Sequence, residues 1–219
     1  MKDIKDHFWV IVLRGELNPA IFQPLWFVKN GLIGENEGSS AQIEVVHRDI
    51  SRFRLEWLQL EVLRDKFLVR TLEEGREEEL RDFILGTFKL LRHTPIYAMG
   101  INYVVHFSVE SIEDWHAIGH KLAPKKDIWD KILTEPGTEK VIIRGKRPDQ
   151  YQGCVRVQVG PSPIITPGLF VDINDHFTHH ENNMEPSSTW MDILSAEWSN
   201  STERSRKIAN AIKEIEVEE

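Results

Sequence analysis

The stretch "IYAMGINYVVHFSV", residues 96–109, decides the fold. Ile101, Tyr103, Val105, Phe107 and Val109 recur at every second position, the period of a β-strand with one buried face. The run follows directly on the clearest helical stretch of the chain, "EEELRDFILGTFKLLRH" at 77–93. There Leu80, Phe83, Ile84, Thr87, Phe88 and Leu91 keep helical spacing and form one apolar stripe. Pro95 closes that helix, because proline cannot continue it. A long strand that opens immediately after a long helix marks a second beginning in mid-chain.

Upstream, the order is a strand at 8–14 and a short helix within "LNPAIFQPLWFVKNG", 17–31. Asn18 can cap that helix, Pro19 suits its first position, Gly31 can close it, and Pro24 breaks it. "IGENEGSS", 33–40, reads as a loop by composition. Strand-like runs follow at 41–47, 53–63 and 67–72, with "RDK", 64–66, as a hairpin turn. Downstream, Ser111 and Asp114 stand at capping-box spacing before a helix at 114–122. A short helical piece at 127–133 comes next, then strands at 140–144, 153–159 and 169–174. The polar stretch "NDHFTHHENN", 174–183, is expected as a loop. The C-terminal region is expected as helix, interrupted near Asn200, with Ile208, Ile212 and Ile215 as its later stripe.

Each half therefore reads strand, short helix, three strands, long helix, with the halves at 1–93 and 94–219. The fold class is α+β. A duplicated unit of this kind is expected to pack as a curved antiparallel sheet with the long helices on one face. The order is similar to that of the TATA-binding-protein fold and, less closely, to sliding-clamp domains. That analogy concerns topology and carries no function.

The chain has 219 residues, 41% of them hydrophobic and 28% charged, with a formal net charge of -8. This balance argues against long-range attraction to nucleic acid or anionic lipid. The single cysteine, Cys154, rules out an intramolecular disulfide and any CxxC metal spacing. The apolar run at 8–13 is too short for a signal peptide, and no stretch approaches the ~20 apolar residues of a membrane span. A soluble cytoplasmic protein is the expectation, with no cofactor.

Alternation also assigns the faces of the strands. Val155, Val157, Val159, Leu169, Val171 and Ile173 are expected to meet the helices. Cys154, Arg156, Gln158, Phe170, Asp172, Asn174, Asn102, Val104, His106 and Ser108 then point away. Asn102, His106, Arg156, Asp172 and Asn174 are the candidate anchors for a partner or ligand on that free face. Seven tryptophans add weight to a contact surface, although Trp9, Trp26 and Trp57 read as core.

Few motifs carry chemistry. His176, His179, His180 and Glu181 supply metal donors, but H-x-x-H-H-E is not a known ligand spacing, and the neighbouring residues are those of a surface loop. His116 and His120 share one helix face, yet Ala117 stands where a zinc protease needs its glutamate. No P-loop, dinucleotide fingerprint or nucleophile elbow is present. Arg144, Lys146 and Arg147 form the best basic patch, at a turn. The acidic 73–79 run belongs at a helix start, where it complements the dipole.

Two segments, "LLRHTPIYAMGINYVVHF" at 90–107 and "GLFVDINDHF" at 168–177, resemble parts of hypothetical bacterial proteins without an assigned activity. The resemblance implies a bacterial cytoplasmic source and transfers no chemistry. The expected function is that of a non-enzymatic interaction or assembly protein of a bacterial multiprotein system. It would bind a protein partner, or itself, through the free face. A histidine-dependent metal hydrolase built on 176–181 is the alternative, and nucleic-acid binding through 144–147 the weaker one.

Overall fold

Two long strands, β1 (Ile4–Gly15) and β6 (Pro95–Ser108), lie side by side at the centre of one antiparallel sheet. The structure is a computed structural model, and it describes residues 4–179 and 183–215. After β1 come a single 3-10 turn at Pro19–Ile21 and two short helices, α1 (Pro24–Lys29) and α2 (Glu35–Ser40). A meander of four strands follows: β2 (Gln42–Val46), β3 (Ile50–Arg54), β4 (Leu58–Leu63) and β5 (Lys66–Thr71). Helix α3 (Glu77–Leu90) leads into β6. The second half adds α4 (Ile112–Leu122), a 3-10 turn at Trp129–Lys131, and the strands β7 (Val141–Lys146), β8 (Gly153–Pro161) and β9 (Gly168–Thr178). The two-residue β10 (Glu185–Pro186) pairs with β6, and α5 (Ser187–Lys213) ends the described chain.

The strand order is β2-β3-β4-β5-β1-β6-β9-β8-β7. The architecture is α+β, as the alternation predicts, with the helices on one side of the sheet. Trp9, Ile11 and Leu13 of β1 pair across with Tyr103, Ile101 and Met99 of β6, and all six are buried. Helix α5 lies over this face: the Trp198 ring is 6.0 Å from Trp9, and Trp190 Nε1 donates to Ile96 O at 3.0 Å. Farther out, Phe27 of α1 stacks on Phe83 of α3 and meets Phe53 of β3. Burying each such side chain stabilises the fold by roughly 1.5–3 kcal/mol.

The structure corrects the sequence reading at four points. The run expected as one strand at 53–63 is two strands, so the first half carries four strands after its short helices, against three long strands and the two-residue β10 after α4 in the second half. The turn between them holds Leu55 and Trp57, which are buried and therefore look like strand residues. Residues 35–40, expected as loop, are helical: Glu37 accepts from Gly34 N at 2.8 Å and from Trp57 Nε1 at 2.8 Å, which anchors a short polar helix to the core. Strand β9 continues to Thr178, four residues beyond the expected end. Helix α5 is unbroken through Asn200, whose amide donates to Glu197 at 3.2 Å instead of capping a new helix.

Candidate binding face

Among the described residues, the other side of the sheet carries no helix. Its register aligns one residue from each of nine strands into a row: Gln42, Arg54, Gln59, Arg70, Val10, Asn102, Asn174, Arg156 and Arg144. Four arginines, four amides and one valine make it up, with no carboxylate. Cross-strand neighbours lie about 4.5–5.5 Å apart, so the row is a continuous track across the sheet.

The centre of the track is fixed by hydrogen bonds. Asn102 donates from Nδ2 to Val10 O at 3.1 Å and accepts on Oδ1 from Asn174 Nδ2. Gly100 makes room for them, since a Cβ there would stand 3.0 Å from Asn174 Nδ2. Arg70 donates to Gln59 at 2.8 Å and lies over the Phe8 ring. Toward the ends the row opens to solvent. Arg54 and Arg144 are exposed, and neither has a carboxylate within 4 Å among the described residues. Arg156 reaches Asp172 only at 3.8 Å.

The next row differs. Glu61 accepts from Arg52 Nε at 2.9 Å and lies 2.6 Å from Lys66, so charges of the first half neutralise one another there. On the second half the corresponding positions are Gly100, His176, Cys154 and Lys146. Burial, reinforced by Arg144, Arg147 and Arg156, holds the His176 imidazole below its ordinary pKa, so it is neutral near pH 7. Asp172 is pushed the opposite way: burial raises its carboxyl above the ordinary value, against the opposing pull of Arg156.

The five anchors expected from sequence all point to this face. Asn102 and Asn174 touch, Arg156 faces Asn174, and Asp172 approaches Arg156. His106 is set apart. Its Nδ1 accepts from Ser162 Oγ at 2.9 Å, while that oxygen accepts from Ile164 N and Ile165 N at 3.2 and 3.1 Å. The loop after β8 thus seals His106, which is 4% exposed, and burial lowers its pKa. Sequence reasoning missed Arg54, Arg70, Gln59 and Gln42. Arg54, Gln59 and Arg70 alternate with buried residues while Gln42 lies on an exposed edge strand, and only register shows that all four share a row with Asn102.

The histidine-rich stretch does not act as one unit. Asp175 falls on the helix side of β9, fully buried, and pairs with Arg147 and Arg204; Asp149 completes the network, 2.6 Å from Arg147 and 3.5 Å from Arg204. His176 is on the open face. His179 packs edge-on against Trp190, with ring centroids 4.8 Å apart. His180 and Glu181 lie outside the described residues. Among the described residues, no three His, Cys, Asp or Glu side chains are grouped to hold a metal ion. The basic turn at 144–147 also divides, because the Arg147 side chain is consumed by the buried network.

No helix among the described residues is long and apolar enough to cross a membrane. No protein-family model matches the chain, and no curated protein matches it.

Proposed function

We propose that the protein is a non-enzymatic binding protein that takes an acidic segment of a protein partner across the open face of its sheet. The observation that carries this reading is the nine-strand row of arginines and amides without a carboxylate. Guanidinium groups pair with carboxylates in bidentate geometry, and side-chain amides can both donate to and accept from a peptide backbone. A net charge of -8 opposes a nucleic acid, which brings one charge per nucleotide, more than it opposes a short acidic segment.

The test is fluorescence anisotropy with a labelled peptide of alternating Glu and Ala, against an oligothymidylate of equal charge. The wild type should bind the peptide, more weakly as salt rises. Arg54→Glu with Arg144→Glu should weaken binding by about 10–100-fold, whereas Lys207→Glu on α5 should leave it unchanged. Equal loss in the Lys207 variant would reduce the effect to net charge. Preference for the oligonucleotide would favour the nucleic-acid reading.

A further inference from the structure

On the helix side, far from the row of arginines in chemistry and on the opposite face of the sheet, α4 stands off the ends of β7, β8 and β9 and encloses a cavity of about 370 Å³. That volume falls within the range of small-molecule sites. Its floor is Val141, Val159 and Leu169, and its roof is Trp115, Ile118 and Leu122 of α4. Trp115 spends its indole N–H on Gly168 O at 3.1 Å, so the ring presents only apolar surface to the space.

One end of the cavity is cationic. Lys125 is 5% exposed. Its Nζ donates to Gly119 O at 2.9 Å, to Ala123 O at 2.6 Å and to Thr138 Oγ1. No carboxylate lies within 4 Å of it among the described residues, and burial lowers its pKa while Asp130 opposes that at longer range. The carbonyls at the end of α4 offset part of the charge but supply no full counter-charge. His116 and His120, one turn apart, stand exposed at the rim, where the one carboxylate is the exposed Glu139.

We propose that this cavity binds a small monocarboxylate with an apolar body, a medium-chain fatty acid or an aromatic acid. The apolar body lies on Val141, Val159 and Leu169, and the carboxylate faces the Lys125 end with His116 and His120 as hydrogen-bond donors. A neutral ligand would leave the ammonium without a counter-ion. A cation would be repelled. A phosphate would bring a second charge and no apolar body to cover Val141, Val159 and Leu169, whereas a monocarboxylate matches the single charge of Lys125 and takes its hydrogen bonds from the two histidines.

Octanoate is the probe, with octan-1-ol as its uncharged match, titrated calorimetrically into the full chain. The wild type should give saturable one-to-one binding and prefer octanoate. Val141→Trp, which fills the cavity from the edge strand, should weaken octanoate by about tenfold or more. Lys125→Met should erase most of the preference for octanoate over octanol. If that variant fails to fold by circular dichroism, His116→Ala with His120→Ala reads the same preference from the rim. Absence of saturable octanoate binding, equal affinity for octanol, or unchanged binding in Val141→Trp overturns the assignment. Arg54→Glu with Arg144→Glu should leave octanoate binding intact, which separates this site from the open face.

Discussion

The Arg147 guanidinium lies 3.5 Å above the ring of Phe177 and at the same time pairs with Asp175, two residues earlier on the same side of β9. Asp175 occupies a row whose other members include Phe53, Leu60, Val69, Ile11 and Ile101, all buried and apolar. A carboxylate in that row is tolerated because Arg147 from the β7–β8 turn and Arg204 from α5 converge on it. The network ties the last helix to the sheet.

Asp175→Ala should therefore destabilise the protein by about 3–5 kcal/mol, because it leaves two largely buried cations short of a counter-ion. Urea unfolding measures this as a drop in the midpoint with little change in slope. A loss below about 1 kcal/mol would mean that Asp149 suffices for both arginines.

Ser201 and Ser205 of α5 are fully buried, and neither hydroxyl has a hydrogen-bond partner among the described residues. Ser201→Ala and Ser205→Ala should each leave stability unchanged or raise it by up to about 1 kcal/mol, since alanine removes an unsatisfied group and favours helix. Thermal unfolding reads the sign; a clear fall in Tm would contradict the unpartnered assignment.

Glu61 responds to acid. The hydrogen bond from Lys66, assisted by Arg52 against the cost of burial, holds its carboxyl below the ordinary 4.5. A depressed pKa contributes stability that is present above the ordinary value and is lost as pH falls through the folded value. Glu61→Gln should lower Tm at neutral pH, and the gap to wild type should close as pH falls below 4.5. A gap that stays constant down to about pH 2 would exclude the linkage.

Asp172 should show the opposite sign. Its carboxyl is raised above the ordinary 3.8, so the stability linked to its proton is present below 3.8 and is lost as pH rises through the folded value. Asp172→Asn should raise Tm at neutral pH, with the gain shrinking in acid. The same variant removes the carboxylate beside Arg156 and should tighten binding of the Glu-Ala peptide.

Much of this was legible in the strands themselves. Alternation in β6, β8 and β9 placed Asn102, Arg156, Asp172 and Asn174 on one face, because inward apolar residues leave their neighbours no other direction. The hairpin through Leu55 and Trp57 was hidden, since exposed Arg54 and Glu56 alternate with these buried residues as they would in a continuing strand. Asp175 misled for the converse reason: a charge at a core position looks like a loop until its distant partners, Arg147 and Arg204, are known. The row of arginines depends on which strands are neighbours, and no local pattern encodes that.

β1 and β6 are paired from Ile4 with Phe107 to Gly15 with Ile96, so no seam interrupts the track of side chains that crosses them. Whatever settles there meets a surface whose backbone was ordered when the chain folded. Little reshaping should accompany capture, and differences among ligands should appear mainly in how slowly they leave.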